Sequence, residues 1–309
     1  MHTRIGGALT VFTLLLGLAG ASYAPAAARA PQAQGKFAVF VASPEGGRGE
    51  FQVEPVALID GRGAFEEPGS GGENVATSFS ERYYKPGAKY RFLYGGAEAG
   101  SVTIREASKG ECAPTAARAA VSTTASLGRN SMALATDASL KLRARSSRRA
   151  PNAAERASVL RLAKSIFRQA GVSAAAVNAR TAALDLTATD LDGDGHEELV
   201  GSYLVRTGPK VRDVLFLVAV LRSDAHSAVL KKHERINARE MMDGSAIGEV
   251  GKGGFLAETF IDQLDADGDG VAEFFTTAST FEGTTYRAYR REGRDWRAVY
   301  EHYSYRCAY

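Results

Sequence analysis

Alternation of apolar and polar positions dominates the chain after residue 34 and predicts strands over most of its length. In the first half, stretches of this kind are bounded by Gly-rich and Pro-containing turns. The strands predicted there are Phe37 to Val41, Phe51 to Ile59, Tyr90 to Tyr94 and Ser101 to Ile104. Their spacing predicts a β-sandwich-like N-terminal domain over residues 34–140.

One amphipathic helix is predicted next. Asn152 and Glu155 have the spacing of a capping box, and Gly171 stands where helices commonly end. The apolar residues at helical spacing between them are Val159, Leu162, Ala163, Ile166, Phe167 and Ala170. We expect this apolar face to pack on a sheet, and a membrane-bound amphipathic helix is the alternative.

The strand pattern then returns and predicts an antiparallel β region within a domain that covers residues 152–309. Its predicted strands are Leu184 to Thr189, Glu198 to Val205, Val214 to Leu221, Phe255 to Ile261, Glu273 to Thr280, Tyr286 to Arg290 and Trp296 to Tyr303. Residues 223–254 are polar and Gly-rich, with a short helix predicted near residues 238–242. The fold class predicted for the whole chain is therefore β-rich, α+β, with one clear helix.

The first 30 residues have the pattern of a secretory signal peptide. Arg4 precedes an apolar stretch that runs to about Ala21, and small residues follow it. We therefore expect a secreted or periplasmic protein, and an uncleaved membrane anchor is the alternative. No later apolar run approaches the length of a membrane span, so we expect no transmembrane segment after signal cleavage.

Charge gives little information about partners. The chain has 38 basic and 35 acidic side chains, and loss of Arg4 and Arg29 with the signal segment leaves 36 against 35, a net charge of +1. This balance does not require nucleic acid as a partner. A basic run within residues 141–151 is interpreted as a solvated linker, and a patch for polyanions or membranes is the alternative.

The chain contains only two cysteines, Cys112 and Cys307. In an oxidising compartment, a pair of cysteines usually forms one disulfide. A bond between these two would tie the C-terminus to the first half, so that the halves pack together. Two unpaired cysteines are the alternative.

A nine-residue acidic loop occurs twice, beginning at Asp190 and again at Asp265, an offset of 75 residues. Both copies carry acids at positions 1, 3, 5 and 9 and glycine at positions 4 and 6. Several carboxylates in one tight loop repel each other unless a cation neutralises them, and Ca²⁺ takes six to eight oxygen ligands. An EF-hand needs an acid at position 12, where this chain has Gly201 and Thr276.

The position-9 acid, followed by apolar residues, resembles the calcium loops of FG-GAP and VCBS-like repeats. The resemblance covers the two loops only, and two repeats do not make a complete propeller. It implies two Ca²⁺ ions. The first ion would be held by Asp190, Asp192, Asp194 and Glu198, with the backbone carbonyl of His196. The second would be held by Asp265, Asp267, Asp269 and Glu273, with the backbone carbonyl of Val271.

No familiar catalytic motif accompanies the loops. The Gly-x-Ser-x-Gly, Gly-x-x-x-x-Gly-Lys and His-Glu-x-x-His patterns are absent from the sequence. The leading hypothesis is an exported, non-catalytic calcium-binding protein, a binding or envelope-associated module whose ligand is a protein or a carbohydrate. The alternative is an extracellular hydrolase on a calcium-stabilised β scaffold, whose catalytic residues the sequence does not identify. Asp60 and Glu66-Glu67 lie among glycines and have the chemistry of a carboxylate pair for sugar cleavage, but acidic loops are so common that this pair is set aside. A purely structural envelope protein is a third hypothesis.

Overall fold

The computed structural model describes residues 35–45, 49–68, 73–108, 115–128, 131–208, 211–222, 225–237, 257–280 and 283–305, with the side chains of 73–76 left aside. Strands dominate these residues, so the predicted β-rich class is confirmed. The predicted short helix near residues 238–242 lies outside the described residues. So do Cys112 and Cys307, and their disulfide stays a prediction.

The N-terminal strands form a closed antiparallel barrel. They are β1 (Phe37–Pro44), β2 (Glu50–Ile59), β4 (Lys89–Tyr94), β5 (Ala97–Ala107), β6 (Ala117–Thr123) and β7 (Ala133–Thr136), with the short β3 (Phe65–Glu66) added to β2. The pairing order β1-β7-β4-β5-β6-β2 returns to β1, because β1 also pairs with β2. The predicted sandwich-like unit is thus more closely defined as a six-stranded barrel.

Strand β1 has buried side chains on both the inner and the outer surface of the barrel. Ala38 and Phe40 point inward, where Phe40 packs against aromatic side chains of helix α1 (Glu73–Tyr83). Phe37 and Val39 point outward and pack against the C-terminal sheet. The sequence did not predict α1, β6 or β7. The two strands are short and rich in alanine, which has a low strand propensity.

Two four-stranded antiparallel sheets with the same strand order make up the second half. The first consists of β8 (Thr181–Thr189), β9 (Glu198–Gly208), β10 (Val211–Arg222) and β11 (Ala225–Asn237). The second consists of β12 (Thr259–Leu264), β13 (Glu273–Ser279), β14 (Gly283–Glu292) and β15 (Asp295–Tyr305). Each acidic loop joins the first strand of its sheet to the second, so the repeat extends from the loop to the whole sheet.

These elements stack as four layers. Helix α2 (Ala153–Gln169) begins with the predicted capping box, and its apolar face packs on the first sheet together with α3 (Ala174–Arg180). The other face of that sheet packs on the second sheet through Phe216, Phe274 and Tyr289. The outer face of the second sheet packs on the barrel. The central strands of both sheets are therefore largely buried on both faces.

The basic segment between the barrel and α2 is not simply a solvated linker. The Arg148 side chain is 5 % exposed, and its guanidinium donates to the carbonyls of Met132 at 3.0 Å and Ile261 at 2.6 Å. It lies 3.5 Å from the buried carboxylate of Asp262 and stacks on the rings of Tyr94 and Phe260. Arg148 thus joins the barrel to the second sheet.

Replacing Arg148 with alanine should destabilise the protein strongly. The change leaves Asp262 buried without its cation, and breaking a buried ion pair in this way costs about 3–5 kcal/mol. The exposed neighbour Arg145 provides the control, since surface changes stay within about 0.5 kcal/mol. Denaturant unfolding measures both variants, and equal unfolding free energies for Arg148→Ala and Arg145→Ala would contradict the proposed role.

Asp262 should give the folding stability a defined pH dependence. Burial, partly offset by Arg148, raises the pKa of Asp262 from 3.8 to about 6. The folded state then binds a proton that the unfolded state has released, so the free energy of unfolding falls as pH rises between those two values and is level above them. Asp262→Asn should remove this contribution. The stability difference between the parent and this variant should therefore change between pH 4 and 6 but not between pH 7 and 8.

Candidate metal centre

The two acidic loops lie side by side at one end of the stacked sheets. The amide of Ala272 donates to the carbonyl of Leu191 at 3.0 Å, which joins the second loop to the first. A Cβ on Gly193 would lie 2.8 Å from the carbonyl oxygen of Gly270. Leu191 is fully buried between the two sheets. Packing of the sheets therefore determines how the loops meet.

Within each loop, backbone amides turn the aspartates inward in the same way. Asp190 accepts from the amides of Gly193 at 2.7 Å and Gly195 at 3.2 Å. Asp265 accepts from the corresponding amides of Gly268 at 2.8 Å and Gly270 at 3.0 Å. The position-3 aspartate of each loop accepts from the position-5 amide at 3.2 Å. The two copies therefore share one conformation.

This conformation brings three carboxylates together in each loop. One oxygen from each of Asp190, Asp192 and Asp194 lies within 4.8 Å of the others, and the same holds for Asp265, Asp267 and Asp269. Each triplet can hold a metal ion. Among the described residues, no other group of three or more histidine, cysteine or acidic side chains converges in this way.

The position-9 glutamates, Glu198 and Glu273, are buried next to the triplets. One oxygen of Glu198 accepts from the amide of Leu191 at 2.8 Å, and one oxygen of Glu273 accepts from the amide of Ala266 at 3.0 Å. Burial raises the pKa of Glu198 to about 8 and that of Glu273 to about 7, and neighbouring aspartates add to both shifts. Neither glutamate belongs to the converging triplets. Their role as ligands stays a prediction.

The position-7 residues take part through their backbones. The amide of His196 donates to Asp194 at 2.7 Å, and that of Val271 donates to Asp269 at 2.8 Å. The His196 side chain is exposed. This backbone role agrees with the different side chains at the position, although coordination by the carbonyls stays a prediction.

Four arginines that sequence analysis missed contact acids of the loops, and one of them, Arg149, pairs with Glu197 at 3.0 Å. Arg291 donates to Asp192, and Arg290 donates to Glu273 at 2.6 Å and lies 3.5 Å from Asp267. Arg143 from the linker donates to the carbonyl of Asp190 and lies 3.7 Å from its carboxylate. The adjacent Arg290 and Arg291 end a strand of the second sheet, but only the packing of the sheets shows that they reach different loops.

The barrel also contacts the second loop. Gly63 lies in the turn between β2 and β3 and has a φ of 77°. Its carbonyl accepts from Arg290 at 3.0 Å, and a Cβ at this position would lie 2.8 Å from the Cβ of Asp267. The candidate metal centre is therefore a junction of the barrel, the linker and both sheets.

The other candidate groups do not converge on one site. Asp60 accepts from the amides of Arg62 and Ala64, whereas Glu66 pairs with Lys36 at 2.5 Å. In the aromatic C-terminal stretch, Trp296 is buried and Tyr303 is exposed. Trp296 packs against Phe274 and Tyr300 stacks on Phe65, so these two aromatic side chains contribute to the core.

No family model, curated protein or solved structure matches this chain. Among the helices of the described residues, none is long and apolar enough to cross a bilayer.

Two glycine substitutions should separate loop conformation from contact between the loops. Gly193 and Gly195 both have a positive φ, of 76° and 87°, so alanine at either position should cost about 1–2 kcal/mol. Only at Gly193 would the new Cβ also meet the second loop. Gly193→Ala should therefore destabilise the protein more than Gly195→Ala in denaturant unfolding. Equal losses would show that the contact between the loops contributes nothing to stability.

Proposed function

We propose that this chain is an exported, non-catalytic calcium-binding module, in which two Ca²⁺ ions join the stacked sheets to the barrel. The observation that carries the proposal is the pair of aspartate triplets held in one conformation by equivalent hydrogen bonds. A single acidic turn is common without a metal. Two copies that place their carboxylates alike, in contact with each other, favour a shared requirement for a cation.

The chemistry of the donors favours calcium over zinc or a soft metal. Every converging side chain offers a carboxylate oxygen, and hard oxygen ligands suit Ca²⁺. The two loops hold nine acids, and among the described residues four arginines contact them. A divalent cation in each loop would neutralise the remaining repulsion and provide a counter-charge for the buried glutamates.

The arrangement of the sheets supports the proposed relation to FG-GAP and VCBS-like repeats. Propeller blades are four-stranded sheets that pack face to face. Here two four-stranded antiparallel sheets pack face to face, each with an acidic loop between its first two strands. We propose that they correspond to two blades, with the helices and the barrel covering the outer faces that further blades would cover.

The hydrogen bonds of Glu258, a buried acid outside the loops, favour a binding role over hydrolysis. The buried Glu258 accepts from Thr276 at 2.6 Å and Tyr289 at 2.7 Å, and pairs with Lys232 at 3.0 Å. A carboxylate held in this way is a structural group rather than a free general acid or base. We propose a protein or carbohydrate as the ligand and the periplasm or the medium as the destination.

A cleft provides a place for such a ligand. It has a volume of about 820 Å³ and lies between the barrel rim, the linker and strand β8. Tyr94, Leu127, Ser126 and Arg145 are among its lining residues, so it offers hydrophobic contacts together with hydrogen-bond donors and acceptors. Asp185 lines it as well, and burial raises the pKa of that carboxyl. The second acid of the lining, Glu98, pairs with Arg91 at 2.8 Å, which favours a structural role for it over a part in glycoside hydrolysis.

Calcium should raise the melting temperature of the mature chain, residues 31–309, relative to chelator. At a free concentration 100 times the dissociation constant, one site adds about 2.7 kcal/mol, which corresponds to a rise of roughly 5–10 °C. The double variant Asp194→Ala, Asp269→Ala should lose the rise. The exposed pair Glu45→Ala, Asp295→Ala removes the same charge elsewhere and should keep it. No response in the parent, with no calcium found by elemental analysis, would refute the proposal.

A further inference from the structure

The helical layer, formed by α2 and α3, carries an excess of positive charge. Residues 152–180 contain five basic side chains and one acid, Glu155. That acid is already held by Arg149 at 2.8 Å. The excess of four positive charges in this layer is larger than the net charge of +3 of the whole chain. Positive charge is therefore concentrated in the helical layer, the outermost layer on the side of the first sheet.

Helical geometry places three of these basic residues on one stripe. Arg161, Lys164 and Arg168 are spaced by three and four residues and lie opposite the face that packs on the first sheet. Arg161 and Arg168 are exposed and Lys164 is partly exposed. No acid of the described residues forms an ion pair with any of the three; Arg168 donates to the amide oxygen of Asn178 at 2.7 Å. Their charges thus face solvent without a counter-charge.

The surroundings of the stripe are small and flat. Ala154, Ala157 and Ser165 lie between and beside the three cations on the same face of α2. The outward positions of α3 add Ala174 and Ala175. This layer exposes no aromatic or large apolar residue that would insert among lipid tails or stack on bases. All three cations can therefore approach a planar anionic surface together.

We propose that the helical layer, through Arg161, Lys164 and Arg168, docks this protein on the anionic headgroups of a membrane. The charge complementarity is with a surface rather than a groove, because the stripe lies on the outer face of α2, opposite the face that packs on the first sheet. Docking through this layer would point the barrel, at the opposite end of the stack, away from the membrane. The binding is peripheral and electrostatic, and each basic residue near an anionic surface increases partitioning about fivefold. The proposal does not depend on the calcium loops.

Vesicle co-sedimentation of the mature chain, residues 31–309, tests this docking. The probes are vesicles of phosphatidylcholine alone and of phosphatidylcholine mixed with phosphatidylglycerol. All samples contain chelator, so that calcium cannot bridge the acidic loops to the lipid. We expect binding to the mixed vesicles only, and its loss at high salt, because the Debye length shortens to about 3 Å at 1 M.

The variant Arg161→Gln, Lys164→Gln, Arg168→Gln should lower the partition constant roughly 100-fold. A matched control, Lys85→Gln, Lys89→Gln, Arg105→Gln, removes the same charge from exposed positions of the barrel and should leave binding unchanged. If the loss of Arg168 impairs folding, Arg161→Glu with Lys164→Glu keeps the contact to Asn178 and should abolish binding. The proposal is refuted if both triple variants weaken binding equally, if the parent does not bind the mixed vesicles, or if the parent binds only a soluble polyanion such as heparin.

Discussion

A buried guanidinium is the central polar contact between the barrel and the second sheet, which also meet through an apolar core. Arg148 reaches from the linker into the space between the barrel and the second sheet, where it meets two carbonyls, two aromatic rings and the carboxylate of Asp262. Asp262 in turn accepts from the amide of Gly95 with both oxygens, at 2.9 and 3.0 Å. A charge buried this deeply is tolerated only while each of its partners remains in place, so the position of the barrel on the sheets is fixed.

The linker also connects that buried centre to the acidic loops. Gln263, next to Asp262, donates to the carbonyl of Asp190 at 2.8 Å, and Arg143 donates to the same carbonyl. The first loop is therefore bonded to the strand that leads into the second loop. A cation in either loop would act on groups that already determine how the layers meet. Through these bonds, calcium ions at the proposed sites would affect the structure beyond their own ligands.

Sequence patterns identified the elements whose signals are local. The helix with its capping box, most strands and both acidic loops follow from residues close together in the chain. Strands β6 and β7 were missed because their many alanines weaken the strand pattern, and β11 because polar and charged residues occupy much of this edge strand. The closed barrel, the buried state of Arg148 and the arginines at the loops depend on contacts between distant segments. No local pattern encodes such contacts.

Charge is divided between two parts of the molecule, and this division relates the two proposals. Acids gather at one end of the stacked sheets, where the loops meet, whereas the uncompensated cations lie on the outer face of the helices. The first sheet lies between the helices and the second sheet, and its central strands β9 and β10 are largely buried on both faces. A cation bound at the loops would neutralise the acidic region without touching the basic one. The proposed calcium binding and the proposed docking therefore rest on different residues, and we expect substitutions in one region to leave the other property intact.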